Sequence, residues 1–284
     1  MGIEILRYTA FADHPQGGNP AGIVLDAGGL DDAEMQRIAA EIDFAETAFI
    51  TGEADGVRTV RFFSPIAEVP FCGHATVAAA IAIAEREGTG VLRFATPVGE
   101  ITIETSAETD GISAAFTSVD TEIAHFPEFV LETLLDLIGI DRTQLDERYP
   151  PQLASAGNRH PVIVITDRAV FDAFTFDPGA VRALMDEQQW PATITVLHRL
   201  PDAPGAALRF EARNLFPVGR ITEDPATGSA AAAVGGYLRS IGAVAPPARV
   251  LIEQGRHVGR PGELTVDIPE RGGIVVSGRA VPIS

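Results

Sequence analysis

The sequence predicts an α/β chain made of two similar domains, and three observations carry that prediction. The first is an internal duplication. Glu68-Val-Pro-Phe-Cys-Gly-His-Ala matches Glu223-Asp-Pro-Ala-Thr-Gly-Ser-Ala without a gap, setting Glu68 against Glu223, Pro70 against Pro225, Gly73 against Gly228 and Ala75 against Ala230. The second is the order of elements. Each copy follows a strand-like run ending in proline (58–65 and 208–217) and leads into an alanine-rich run of helical length. The third is a weaker echo, in which Gly18-Asn19 followed by Ile23-Val-Leu25 answers Gly157-Asn158 followed by Val162-Ile-Val164. Two copies are too few for a solenoid, so two domains facing each other are expected.

The elements follow in order. Leu30-Asp-Asp-Ala-Glu-Met opens with a capping aspartate and places Met35, Ile38, Ala39 and Ile42 at helical spacing, with acids in the first turn. Residues 44–50 and 59–63 read as strands. Residues 75–87 lack breakers, are mostly apolar and stop at Gly88, which predicts a buried helix with a glycine end. Residues 229–238 are the counterpart, with Gly235-Gly236 weakening the last turns. Runs 92–94, 99–104, 264–268 and 273–276 alternate as strands. Residues 128–138 read as a helix between Pro127 and Gly139, opening the second half after a linker near Asp120. Pro201-Asp-Ala-Pro-Gly and Pro246-Pro247 read as surface turns.

Composition removes whole classes of function. The chain of 284 residues has 21 basic residues, every one an arginine, against 39 acidic ones, a net charge of −18. Without lysine there is no Schiff base to a substrate or to pyridoxal phosphate, and no P-loop. The single cysteine, Cys72, excludes an internal disulfide and any two-thiol mechanism. The acidity disfavours nucleic acid and anionic membranes. The longest charge-free apolar run, 69–84, is shorter than the ~20 residues of a spanning helix and contains Pro70, Gly73 and His74. The first residues alternate like a strand, and Leu6 breaks the myristoylation pattern begun by Met1-Gly2, so a cytoplasmic protein is expected. The six histidines show no metal-binding spacing, no dinucleotide glycine fingerprint is present, and no Gly-x-Ser-x-Gly run marks a serine hydrolase. No cofactor and no metal are expected.

Gly73 and Gly228 each stand just before a predicted helix. Bare backbone there lets N–H groups approach a ligand, and the helix start adds partial positive charge. Two such ends would attract a carboxylate or a developing enolate. Each turn alone reads equally as a capped helix, with His74 and Ser229 as capping residues. Their matched recurrence favours function.

Phe11, Gly18-Asn-Pro-Ala-Gly-Ile-Val-Leu25, Glu46-Thr-Ala-Phe, Phe62-Phe-Ser-Pro65, Glu68-Val-Pro-Phe-Cys-Gly-His-Ala-Thr76, Glu223-Asp-Pro-Ala-Thr-Gly-Ser-Ala230, Gln254-Gly255 and Gly259-Arg-Pro-Gly262 together resemble the phenazine-biosynthesis PhzF-like isomerases. The resemblance implies the diaminopimelate-epimerase-like fold: two α/β domains, each a curved, mostly antiparallel sheet around a central helix, with the active site in the cleft between them. The expected domains are 1–120 and 121–272, with a C-terminal strand in 273–284 returning to the first. The resemblance also implies a homodimer.

Carried over residue by residue, the resemblance makes Glu46 the catalytic carboxylate, with His74 and Asp224 as its catalytic partners. Ser229 and the backbone of Gly73 and Gly228 become substrate-binding. The family motif often has Ser before this glutamate, where this chain has Ala45. From the residues alone, Glu46 reads either as a buried general acid/base or as a strand-edge glutamate paired with an arginine. Asp224 reads equally as an Asp-Pro turn residue. Diaminopimelate epimerases pair two cysteines; here the second position holds Thr227, whose hydroxyl is too weak an acid, so Cys72 reads as a small buried apolar residue. The expected function is a cofactor-independent isomerase that shifts a proton through Glu46 on a small carboxylate substrate, with dihydro-hydroxyanthranilate as the family's substrate. The alternative is a non-catalytic protein that keeps the fold and binds a small molecule.

Overall fold

A computed structural model describes residues 3–202, 208–218 and 221–283. It divides into two compact units, Met1–Thr117 with Ser277–Ser284, and Ser118–Val276. The turn expected at 201–205 and the Met1-Gly2 pair fall wholly or partly outside the described residues.

In the first unit, β1 (Leu6–Ala10) and β2 (Asn19–Val24) form an antiparallel pair. Gly18, just before β2, takes φ +55°, and a Cβ there would sit 2.1 Å from the Ala10 carbonyl oxygen, so only glycine fits. Helix α1 (Asp32–Ile42) starts from a reciprocal capping box between Asp31 and Glu34 and buries Met35, Ile38, Ala39 and Ile42, the four positions picked out by spacing. Strand β3 (Glu46–Ala54) runs parallel to β2 and antiparallel to β4 (Val57–Phe63). The short β5 (Glu68–Val69) turns the chain into α2 (Gly73–Glu87), after which β6 (Val91–Thr96), β7 (Gly99–Glu108) and β8 (Gly111–Thr117) follow. Every residue from His74 to Ala84 is buried, as an all-round apolar helix demands. Its face is mostly alanine, which lets β1, β2, β3, β7 and β8 close in on it.

The second unit repeats this plan. It opens with β9 (Glu122–His125) and α3 (Glu128–Ile138), the latter capped by Gly139 in the left-handed conformation. Then come β10 (Gln152–Ser155), β11 (Arg159–Ile165), α4 (Arg168–Ala173), α5 (Pro178–Glu187), β12 (Ile194–Arg199), β13 (Arg209–Leu215), β14 (Glu223–Asp224), α6 (Gly228–Ser240), β15 (Ala248–Gln254) and β16 (Gly262–Ile268). The pairings β10/β11, β12/β13, β13/β14 and β15/β16 are antiparallel, while β11/β12 and β13/β15 are parallel. Those senses match, pair for pair, β1/β2, β3/β4, β4/β5, β6/β7, β2/β3 and β4/β6. Helices α3, α4 and α5 pack a separate core around Leu131, Leu134, Phe171, Val181 and Trp190.

Gly235 and Gly236 do not weaken α6, which continues to Ser240. A Cβ on Gly235 would lie 2.7 Å from Ile274 Cγ2, and one on Gly236 would lie 2.5 Å from Thr121 Cβ. Close packing, not flexibility, places glycine there. The last strand, β17 (Val275–Pro282), begins two residues later than its sequence pattern suggests. It pairs with both β1 and β8. The ring β1-β2-β3-β4-β6-β7-β8-β17 is thereby closed around α2.

Candidate functional site

The first unit gathers three groups at the start of α2. Glu46 is the first residue of β3, with its side chain 22% exposed, and its Oε2 lies 3.4 Å from Nε2 of the nearly buried His74. The Cys72 thiol donates to Glu46 Oε2 over 3.5 Å and lies 3.3 Å from His74 Nδ1. Cys72 is thus more than an apolar filler; its sulfur touches both groups. Burial pushes the His74 imidazole down to about 4, only partly opposed by a hydrogen bond to the Pro20 carbonyl, so the ring is neutral at pH 7. Register explains the meeting. The β2/β3 pairing sets Glu46 opposite Ala21, next to Pro20, and α2 packs against both strands. The first intrahelical bond of α2 runs from Thr76 N–H to the Cys72 carbonyl, so the N–H groups of Gly73, His74 and Ala75 have no partner within the helix.

The second unit gathers Asp224, Gly228 and Ser229 at the start of α6. Thr227 stands at the helix N-cap, as Cys72 does in α2, and neither side chain caps its helix. The Thr227 hydroxyl donates instead to Asp224 Oδ2. Gln254 holds the turn from behind: its Nε2 donates to the Asp224 carbonyl at 2.7 Å and to Thr227 Oγ1 at 2.9 Å, while its Oε1 accepts from Thr227 N–H at 3.2 Å. Gly255 follows at φ +89°, where a Cβ would meet the Arg260 and Pro225 carbonyl oxygens at 2.2 and 2.5 Å. Ser229 Oγ lies 3.1 Å from Nε2 of the buried His160. Sequence reading passed over His160 and Thr193, because their partners come from distant strands. The echo of 18–25 in 157–164 spans His160 and is the one signal that pointed there.

Each short strand leading into a helix is tied down by the same bidentate ion pair. In the first unit Arg61 grips Glu68 through two bonds of 2.7 Å. In the second, Arg213 grips Glu223 through Nε and Nη2 at 3.2 and 2.5 Å. Glu68 pairs across from Phe63 and Glu223 from Leu215, with the arginine two residues earlier in both strands. Recurrence of the device in both copies marks these turns as places where backbone position matters.

Two groups of donor atoms among the described residues have metal-binding spacing. Those of Glu46, Cys72 and His74 lie within 4.8 Å of one another, a set that suits a zinc-like ion. In the other, Asp172, Glu211 and His257, the Glu211 carboxylate already meets Arg168 at 2.7 Å and Arg256 at 2.8 Å, so positive charge occupies the place of a cation. No helix among the described residues is long and apolar enough to cross a membrane.

This fold defines a class, the α/β proteins built from two matching halves. A model of the phenazine biosynthesis-like protein family, PhzC-PhzF, matches residues 8–284, and the chain belongs to that family. It is 33% identical over 279 residues to an uncharacterized isomerase of Deinococcus radiodurans, covering 94% of this chain and 87% of that one. It is 30% identical over 254 residues to the trans-2,3-dihydro-3-hydroxyanthranilate isomerase of Pseudomonas chlororaphis, covering 89% of this chain and 85% of that one. The crystal structure of a Bacillus anthracis PhzF-family phenazine biosynthesis protein superposes with a TM-score of 0.88 at 27% identity, covering 100% of this chain and 98% of that one. The chain is an isomerase.

Proposed function

We propose that the protein is a cofactor-independent isomerase that moves a proton between two positions of a small carboxylate substrate, with Glu46 as general acid/base. The observation that carries this is the contact of the Glu46 carboxyl with the neutral His74 ring and the Cys72 thiol at the start of α2. A carboxylate takes a proton from carbon and returns it at another position, so substrate and product have the same composition. Three conditions favour it: partial burial, an imidazole neighbour that carries no charge, and helix N–H groups that stabilise negative charge developing on the substrate. His74, whose single ring hydrogen is held by the Pro20 carbonyl, offers its other nitrogen as an acceptor beside Glu46. Asp224, steadied by Thr227 and Gln254, and Ser229 hold the substrate's polar substituents, and backbone N–H groups at a helix start, Gly73 or Gly228, receive its carboxylate. The thiol pair of a two-cysteine epimerase has no second member, since Thr227 fills that place.

The substrate class follows the Pseudomonas relative: trans-2,3-dihydro-3-hydroxyanthranilate or a close analogue, giving its ketone tautomer. The reading also takes the protein to be a cytoplasmic homodimer. The test is incubation with that compound in deuterated buffer, following substrate loss and deuterium entry into carbon by NMR, for the parent protein and Glu46→Gln. Turnover and deuterium entry that disappear in the variant support the reading. Turnover that survives in Glu46→Gln removes Glu46 from the mechanism, and binding without any exchange in the parent points to a protein that binds without turnover.

A further inference from the structure

The second unit holds a buried imidazole that the proton transfer through Glu46 does not use. His160, on β11, is fully buried. Its Nδ1 lies 3.0 Å from the Thr193 main-chain carbonyl oxygen and 3.0 Å from Thr193 Oγ1, while its Nε2 lies 3.1 Å from Ser229 Oγ. Turning the ring over would set carbon atoms at both places and lose every one of these contacts. A carbonyl oxygen only accepts, so Nδ1 carries the hydrogen. Thr193 Oγ1 sends its own hydrogen to Asn214 Oδ1 at 3.3 Å, and therefore also faces Nδ1 as an acceptor. Burial keeps the ring neutral, pushing it down to about 4, which leaves Nε2 bare. Among the described residues, the hydrogen recorded within reach of that nitrogen is the one on Ser229 Oγ.

We propose that His160 is a positioning residue that commits the Ser229 hydroxyl hydrogen to the protein interior, so that Ser229 faces the substrate as an acceptor and selects an amino or hydroxyl group there. A hydroxyl has one hydrogen and two lone pairs. With the hydrogen held by His160, a carboxylate oxygen arriving at Ser229 would meet lone pairs and be repelled. An ammonium, amine or hydroxyl would be accepted. Asp224, whose Oδ2 already accepts from Thr227, adds a second acceptor at the approach to the same helix. The carboxylate of the ligand is left to the helix N–H groups. The inference rests on the anthranilate-type reading above for its ligands, but the proton arrangement does not.

Two measurements decide it. Long-range proton–nitrogen NMR of the ¹⁵N-labelled parent at neutral pH gives the protonation of each histidine ring, with His160 assigned by His160→Gln. The expected spectrum has a protonated Nδ1 and a bare Nε2 at His160, and the Nε2 resonance moves in Ser229→Ala. A protonated Nε2, or an Nε2 resonance indifferent to Ser229→Ala, overturns the proposal. Calorimetry then compares 3-hydroxyanthranilate, the aromatic counterpart of the relative's substrate, with benzoate, which keeps only the carboxylate. The parent should favour 3-hydroxyanthranilate by about tenfold or more, and Ser229→Ala should shrink that preference by about tenfold, the worth of one hydrogen bond to a charged or polar donor. A preference unchanged in Ser229→Ala overturns the selectivity. Failure of the parent to bind either compound overturns the anthranilate-type reading, and the nitrogen spectrum still decides the role of His160.

Discussion

The duplicated arginine–glutamate pair offers a comparison of one interaction in two environments. In the second unit Arg213 and Glu223 have side chains only 7% and 9% exposed, and the guanidinium also donates to the Phe171 and Phe174 carbonyls at 3.1 and 2.9 Å. Glu223→Gln removes the balancing charge while keeping the shape, leaving a cation buried among neutral acceptors. Breaking such a pair costs about 3–5 kcal/mol. In the first unit Arg61 and Glu68 are 26% and 36% exposed, and Arg61 keeps a second partner, Asp32, at 2.6 Å. Water and Asp32 take over there, so Glu68→Gln should cost at most about 1 kcal/mol. At about 2–4 °C per kcal/mol, Glu223→Gln lowers the melting temperature by roughly 6–20 °C and Glu68→Gln by roughly 4 °C or less. The single tryptophan, Trp190, lies in the core of the second unit, so its fluorescence in urea reports that unit directly. Far-UV circular dichroism follows both units. Glu223→Gln also loosens the short strand that carries Asp224 and, on the reading proposed above, should weaken substrate binding. A loss under about 1 kcal/mol for Glu223→Gln at unchanged urea slope, or equal losses in the two variants, would refute the burial reasoning.

Further outcomes follow from other positions. His74 and His160 are both held near 4 by burial, whereas an unfolded histidine titrates near 6.5. The unfolded chain therefore binds more protons below that value, so stability is full above pH 6.5 and falls as the pH drops towards 4, by roughly 3 kcal/mol for each ring. Urea midpoints at pH 7, 5.5 and 4.5 should show the fall, and His160→Gln should flatten part of it; a parent curve level between pH 7 and 5 contradicts the assignment. Gly235→Ala drives a methyl to within 2.7 Å of Ile274 and 2.9 Å of Val266, which should cost about 1–3 kcal/mol, read as a lower melting temperature. Cys72→Ala should retain turnover within about tenfold, since no second thiol completes an epimerase pair; a loss beyond about a hundredfold would make the sulfur a proton carrier. Dialysis against a chelator should leave turnover unchanged, and activity lost and then restored by zinc would reassign Glu46, Cys72 and His74 to metal chemistry.

Legibility in the sequence divides along a physical line. Features set by neighbours in the chain could be read: the capping box and apolar face of α1, the all-round apolar α2, the glycine end of α3, and the strand order implied by two copies of one motif. Positions fixed by distant contacts could not. Gly235-Gly236 reads as a helix weakness by propensity, yet the β-layer pressed against α6 at Ile274, Val266 and Thr121 requires it. Cys72 reads as apolar by type, while the register of β3 brings Glu46 against its sulfur. Arg213 carries no local sign of its role, because Glu223 meets it only across the β13/β14 pairing. His160 is hidden for the same reason: its ring is defined by Thr193 and Ser229, 33 and 69 residues away.

The register also shows how one scaffold carries different side chains at matching positions. Ile23 pairs with Ala48 in the first unit and Val162 with Thr195 in the second, so residues two positions earlier correspond: Ala21 with His160, and Glu46 with Thr193. The helix starts correspond as Cys72 with Thr227 and His74 with Ser229. The imidazole has thus changed sides, standing on the helix in the first unit and on the strand in the second. Where the first unit sets a titratable carboxyl beside a neutral ring, the second sets a hydroxyl that cannot titrate near neutral pH. A proton shuttle needs one group that accepts and returns a proton, and the matching strand of the second unit carries no second acid. Replacing Thr193 by Glu would recreate that second acid beside His160, and the variant should show a pH–rate profile with an added ionisation and a slower reaction. A profile identical to the parent's would mean that the two units do not divide the work in this way.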